Sequence, residues 1–169
     1  EQKTLQSDFT VTVAEEVNAP MNYPGTITMQ GKCFALTMFD VEAAYDGNTL
    51  YLYNAELDEL TLSNPTEQEL LEANPFLYAK ALVDVCNVTE RAINNGEQTL
   101  VTLTPKDQTI GIKRFTLKIK NNNLMPLQVE IKEGKQTTTL KLTNPTFVTT
   151  KQTYIIQPEA STYVNDMRF

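Results

Sequence analysis

Apolar and polar residues alternate with a period of two along most of this chain. Phe9, Val11 and Val13 alternate with Thr10 and Thr12, and Ile27 and Met29 alternate with Thr26, Thr28 and Gln30. Phe34, Leu36 and Met38 continue the rhythm beyond a turn expected at Gly31-Lys32. Leu60/Leu62, Val101/Leu103, Phe115/Leu117/Ile119, Leu127/Val129/Ile131 and Leu140/Leu142 follow, interleaved with Thr, Lys, Gln and Glu. Successive side chains of a strand point to opposite faces, so each run presents one apolar face. Turn residues separate the runs at Asp46-Gly47, Asn121-Asn122-Asn123 and Glu133-Gly134. The pattern predicts a mainly β fold: a long antiparallel sheet curved into a barrel or half-barrel. The phase slips between Ile110/Ile112 and Phe115/Leu117, which predicts a bulge near Lys113-Arg114.

One segment departs from this rhythm. Asn64-Pro65-Thr66-Glu67-Gln68-Glu69-Leu70-Leu71 offers a capping Asn, Pro at a first helical position and acids in the first turn. Asn74-Pro75 restarts the signal, so two short helices joined near Glu72-Ala73-Asn74 are expected. The second is apolar around most of its circumference through Phe76, Leu77, Ala79, Ala81, Leu82, Val83 and Val85. A surface helix has a wider polar face, so this one is expected to be sandwiched.

The turn Asp46-Gly47-Asn48 leads into Leu50-Tyr51-Leu52-Tyr53. Asp, Gly and Asn tolerate the positive φ of tight turns. The strand has an aliphatic and an aromatic face, neither cheaply given to water. One face is expected to look inward and the other to pack on the outside.

Composition removes several function classes. The chain has 169 residues, read as one domain over 1–169, with 41% apolar and 21% charged content typical of a folded protein. A formal net charge of −7 argues against nucleic acid or anionic membrane as main partners. With no His, imidazole bases and Ser-His-Asp or Cys-His systems are excluded, and no metal or other cofactor is expected. Cys33 and Cys86 form no C-x-x-C pair. Cys33 lies in a strand pattern and reads as a buried inert thiol, with a Cys33–Cys86 disulfide as the alternative in an oxidising compartment. Asp40, Glu42 and Asp46 lie close in sequence but lack an accompanying nucleophile or base, so no catalytic residue is assigned. The Asn87-Val88-Thr89 sequon reads as incidental. No apolar run approaches the ~20 residues that span a bilayer. The chain opens at Glu1-Gln2-Lys3 with no visible secretory signal, as a mature or trimmed protein would. It also lacks the N-terminal Cys of a bacterial lipoprotein, so a soluble protein is expected.

A curved sheet with an apolar inner face needs that face covered, and two short helices make a small cover. The interior is therefore expected to be incompletely filled by protein, leaving room for an apolar ligand. Met29 and Met38 fall on this face, and Met adapts to irregular apolar shapes. The candidate ligand-binding residues are Val11, Val13, Ile27, Met29, Phe34, Leu36, Met38, Leu50, Leu52, Phe76, Leu77, Phe115, Leu117, Val129 and Ile131. Against this stands the ordinary reading, in which alternating apolar residues make a packed core.

The order of elements resembles the LolA family of periplasmic lipoprotein carriers, including its divergent LolA-like branch. The resemblance runs from Ser7-Asp8-Phe9-Thr10 through Gly25-Thr26-Ile27-Thr28-Met29. It continues into Asp46-Gly47-Asn48-Thr49-Leu50-Tyr51-Leu52-Tyr53, similar to the family's D-G-x-x-L-W-x-Y signature. The insert at 64–85 stands where the family places its lid helices. Leu103-Thr104-Pro105-Lys106, the strand pair at 115–119 and 127–131, and the ending from Asn144-Pro145 to Arg168 also fit. The resemblance implies an unclosed half-barrel capped by helices, whose cavity shields the acyl chains of lipoproteins. It implies a periplasmic monomer with its signal peptide removed. An inner-membrane lipoprotein-releasing transporter would load it and an outer-membrane acceptor receive the cargo. A lipid-sensing or small hydrophobic-ligand-binding regulatory domain on the same scaffold, as the fold-related anti-sigma regulators resemble, is the alternative.

Two departures from the family stand out. The family opens with a helix before its first strand, where only Gln2–Gln6 stands here, implying a trimmed segment or a smaller lid. It also carries an Arg tied to lid closure where this chain has Gln30-Gly31-Lys32-Cys33-Phe34. Lys32 lacks the planar multiple donors of a guanidinium, so that role is not transferred to it.

Overall fold

The period-two runs become strands of one sheet in the computed structural model, which describes residues 3–149 and 151–169. In chain order the elements are β1 (Thr4–Glu15), β2 (Asn18–Gln30), β3 (Cys33–Met38), β4 (Val41–Tyr45), β5 (Leu50–Asn54) and β6 (Glu59–Ser63). The helices α1 (Glu67–Ala73) and α2 (Pro75–Leu82) follow. The chain then runs through β7 (Cys86–Ile93), β8 (Gln98–Pro105), β9 (Ile112–Lys120), β10 (Met125–Glu133), β11 (Gln136–Val148) and β12 (Tyr163–Asp166). Their order across the sheet is β12-β6-β5-β4-β3-β2-β1-β11-β10-β9-β8-β7. The sheet is not closed, since β12 and β7 lie at opposite ends. Residues 4–6, standing where the family has a leading helix, belong to β1; Gln2 lies outside the described residues.

Neighbouring strands pair antiparallel except at one edge, where β12 pairs parallel with β6. The expected antiparallel sheet thus carries one parallel pair at its edge. A parallel partner needs a crossover, and residues 151–162 supply it by passing over the sheet. The predicted bulge is present: Lys132 pairs with Arg114 and Glu133 with Ile112, leaving Lys113 as the extra residue. At Gly25 the ring of Phe9 lies against the bare backbone, and a Cβ there would collide with that ring and the Thr37 carbonyl.

The Asp46 turn is held by its own carboxylate. The amides of Asn48 and Thr49 donate to Asp46 Oδ1 at 2.9 and 2.8 Å, and the Tyr51 hydroxyl donates to Oδ2 at 3.2 Å. Gly47 supplies the positive φ of 105°.

The first helix starts two residues later than its sequence signal suggested. Thr66, not Asn64, is the N-cap, because Thr66 and Glu69 form a reciprocal capping box. The Glu69 amide donates to Thr66 Oγ1 at 3.3 Å and the Thr66 amide to Glu69 Oε2 at 2.7 Å. Asn64 instead donates to the Asn48 carbonyl and accepts from the Phe169 amide. The second helix starts as expected, with Asn74 as cap and Pro75 at its first position. It ends at Leu82. Lys80, Ala81, Val83 and Val85 are exposed, so α2 is covered by the sheet on one side and not sandwiched.

Apolar side chains pack on both faces of the sheet. The inner face, under the helices, carries a cluster around Phe9, Ile27, Phe115 and Val129 and a second around Phe34, Tyr45 and Leu50. On the outer face Ala44, Tyr51, Leu60 and Leu62 pack with Ile156 from the crossing segment, and Tyr154 is buried beside Thr4. The strand that opened two ways in sequence is thereby oriented: Leu50 faces the helices, and Tyr51 and Tyr53 lie under the crossing segment.

Candidate functional site

The inner face and its helical cover form the site. Leu70 of α1 packs on Phe34, Ala43, Tyr45 and Leu50, while Ala79 and Leu82 of α2 pack into the cluster that holds Phe115 and Val129. The ring of Tyr78 lies 6.4 Å from that of Phe115. Desolvation by burial raises the pKa of the Tyr78 hydroxyl, with smaller contributions from Glu133 and Glu72.

Asn74 joins cover and sheet. It is 1% exposed and ends α1 while capping α2. Its Oδ1 accepts from the Phe76 amide at 3.1 Å, and its Nδ2 lies 3.1 Å from the sulfur of Met29 on β2. A buried amide satisfied from both sides fixes the angle between the two helices and their seat on the sheet. Sequence reading identified Asn74 as a cap; its contact to Met29, 45 residues away, has no local signal.

Twelve of the fifteen candidate residues belong to or pack against the two inner clusters: Val11, Ile27, Met29, Phe34, Leu36, Met38, Leu50, Phe76, Phe115, Leu117, Val129 and Ile131. Directly beneath the helices the space is filled, with Phe34 and Phe115 both at 0% exposure. Leu77 instead lines a cavity of roughly 250 Å³ with Leu70, Leu71, Ala81 and Lys32. A second cavity, of roughly 330 Å³, lies on the other flank of the cover, between Leu71, Tyr78 and Ile131.

Val13 and Leu52 lie beyond the cover. There the inner face stays apolar and open: Leu52 is 40% exposed, Val41 41% and Met21 51%, with Val11, Val13, Tyr23 and Met38 half-buried among them. Register places them on one face, since Val11 pairs with Tyr23, Val13 with Met21, Met38 with Val41, and Leu52 with Ala43 beside Leu36. Phe39 caps this end, its ring edge-on to Tyr23 at 5.3 Å. Sequence reading missed Met21, Tyr23 and Val41. Pro20 and Pro24 disguise the start of β2, a stretch that pairs with β1 but not with β3 and so tolerates Pro as an edge does.

Of the acids weighed as a catalytic group, Asp46 is engaged in its own turn. Asp40 and Glu42 are exposed at the β3–β4 turn and on β4. Burial alone would raise the pKa of Asp46, but hydrogen bonds from the Thr49 and Asn48 amides and the Tyr51 hydroxyl outweigh it and hold the group below its ordinary value. Cys33 is half-buried and Cys86 buried, both free thiols on strands in opposite halves of the sheet, so the disulfide alternative is not realised. Burial raises both thiol pKa values. Among the described residues no cluster of three or more His, Cys, Asp or Glu is placed to hold a metal, and no helix is long and apolar enough to cross a membrane.

An unclosed sheet whose apolar inner face is partly covered by a two-helix lid defines a half-barrel scaffold. The profile of the outer membrane lipoprotein carrier protein LolA matches residues 43–154, and the chain belongs to that family as a divergent member. In fold it is similar to an uncharacterized conserved protein from Thermus thermophilus, at 13% identity over 98% of this chain and 91% of that one, with a TM-score of 0.58. It is also similar to a chain of the Pseudomonas aeruginosa MucA/MucB complex, at 15% identity over 89% of this chain and 54% of that one, with a TM-score of 0.51. A LolA superfamily protein, NE2245 from Nitrosomonas europaea, matches at 10% identity over 85% and 86%, with a TM-score of 0.40. No curated protein matches the chain in sequence.

Proposed function

We propose that this protein is a periplasmic carrier, a binding protein and not an enzyme, that holds the acyl chains of lipoproteins on its inner face and delivers them to the outer membrane. The observation that carries the reading is the open apolar stretch of Met21, Met38, Val41 and Leu52, continuous with the core beneath the helices. An acyl chain laid there is removed from water at about 0.8 kcal/mol per CH₂. It extends inward toward Leu36, Ile27 and Phe76 as the cover lifts. The cover suits that motion. Its helices have seven and eight residues, too short to be stable alone, so packing and the Asn74 pin hold them in place. The thirteen inner-face residues named from sequence, with Phe76 and Leu77 of the cover, are the proposed ligand wall. Loading by an inner-membrane lipoprotein-releasing transporter and unloading to an outer-membrane acceptor complete the cycle, with the carrier acting as a monomer.

The test is to incubate the purified protein with inner-membrane vesicles bearing an acylated lipoprotein and the releasing transporter, then with outer-membrane vesicles. Release of a soluble complex and passage of cargo to the second membrane are expected. Acyl binding without transfer would move the reading to a lipid sensor, and neither binding nor transfer would overturn it.

A further inference from the structure

The outer face of β7–β10 is a feature that acyl binding leaves unused. It is dished into a groove of roughly 770 Å³ lined by Arg91, Leu100, Arg114, Thr116, Lys118 and Glu130, among others. Register sets Arg91, Leu100, Lys118, Gln128 and Lys141 in one row across five strands. Arg114 and Lys132 pair in the adjoining region, and Lys120 lies two residues beyond Lys118 on the same face. Six of the chain's 14 basic residues thus share one face of a protein that carries 21 acids. Glu130 is tied to Arg114 at 3.3 Å, and Glu90 also lines the groove. Beside the groove, β7 is the last strand of the sheet, with no neighbour on its far side among the described residues.

The other half of the molecule is finished differently. There the outer face is crossed by residues 151–162, which then join the edge of β6 as β12. We propose that the outer face of β7–β10 docks an extended acidic segment of a partner polypeptide. The segment crosses the groove with its carboxylates toward Arg91, Arg114 and Lys118 and continues along the open edge of β7. Charge complementarity selects an acidic occupant. The free edge selects a polypeptide, since only a backbone can continue the ladder of a sheet. A flat anionic membrane reaches neither the recessed floor nor the edge amides.

The probe is a fluorescently labelled peptide of alternating Glu and Thr, with a Gln/Thr peptide as control, measured by anisotropy on the full chain. Binding of the Glu peptide that weakens with salt, slower hydrogen exchange at residues 87–93, and about tenfold or greater loss in R91E/K118E are expected. That variant leaves the Arg114–Glu130 pair intact, and its circular dichroism and retained acyl binding report that it is folded. Equal binding of the two peptides would overturn the proposal, as would an unchanged affinity in R91E/K118E. Capture by anionic phosphatidylglycerol vesicles that displaces the peptide would reassign the face to a membrane. Acyl binding is read separately, so failure here leaves the carrier reading standing.

Discussion

The two halves of the sheet solve the same problem differently. In β3–β5 both faces are apolar; α1 covers the inner face around Phe34, Tyr45 and Leu50, and residues 151–162 cross the outer one. In β8–β10 only the inner face is apolar, and the outer face carries Thr, Lys, Arg and Gln into water. The strands carry the difference in their own sequence. Leu50-Tyr51-Leu52-Tyr53 has no polar face because its aromatic face lies under the chain's own crossing segment. Phe115-Thr116-Leu117-Lys118-Ile119 alternates cleanly because none of the described residues covers its second face.

A second contrast runs along the inner face. Beneath the helices Ile27, Phe34, Phe115 and Val129 are buried, while beyond them Met21, Val41 and Leu52 stay partly open. The largest expected effects lie in the first region. Phe34→Ala and Phe115→Ala each leave a cavity in a filled core and should each cost about 3–5 kcal/mol in denaturant unfolding. Both should shift a single transition; separate transitions for the two variants would show that the halves unfold independently.

Asn74→Ala removes a helix cap and the amide that meets Met29. A loss of about 1–2 kcal/mol is expected, with faster hydrogen exchange confined to residues 67–82. Exchange unchanged in the helices would mean that the cover is held by Leu70, Ala79 and Leu82 alone.

Acid should loosen the crossing segment. The hydroxyl of Thr162, then those of Ser161 and Tyr53, hold Asp58 below its ordinary pKa, and hydrogen bonds from Arg168 lower Asp166 to about 2. A carboxylate depressed in the folded state contributes stability above its unfolded pKa and loses it as pH falls through the folded value. Lower protection factors at Tyr163–Asp166, with exchange referred to the intrinsic rate at each pH, are therefore expected as pH drops from about 4 toward 2, with Phe115 and its neighbours still protected. Asp58→Asn should show the loosening already at neutral pH.

The smallest stability effect should come from Leu52→Glu, within about 0.5 kcal/mol of the parent because the site is open. Its acyl affinity should nevertheless fall sharply. A large stability loss would show that Leu52 is core and not ligand wall.

Much of the architecture was legible in sequence, for identifiable reasons. Clean alternation marked β1, β3, β9, β10 and β11, a slipped phase marked the bulge at Lys113, and Asn74-Pro75 marked the start of α2. What stayed hidden was non-local or compositionally plain. Strand β4 reads Val-Glu-Ala-Ala-Tyr, where small Ala residues fit between covered faces without a strand signature. Strand β7 mixes polar and apolar residues because it is an exposed edge, and β12 exists only through its pairing with β6. The candidate wall was readable as one face, but which part lies under the helices depends on where a distant insert settles.

The most direct test of the carrier reading is photolabelling with a diazirine-bearing fatty acid, followed by peptide mapping. Crosslinks are expected at Met21, Met38, Val41 and Leu52, extending to Leu36 and Phe76 in Asn74→Ala. Labelling confined to the outer face, or absent from the inner one, would contradict the carrier reading.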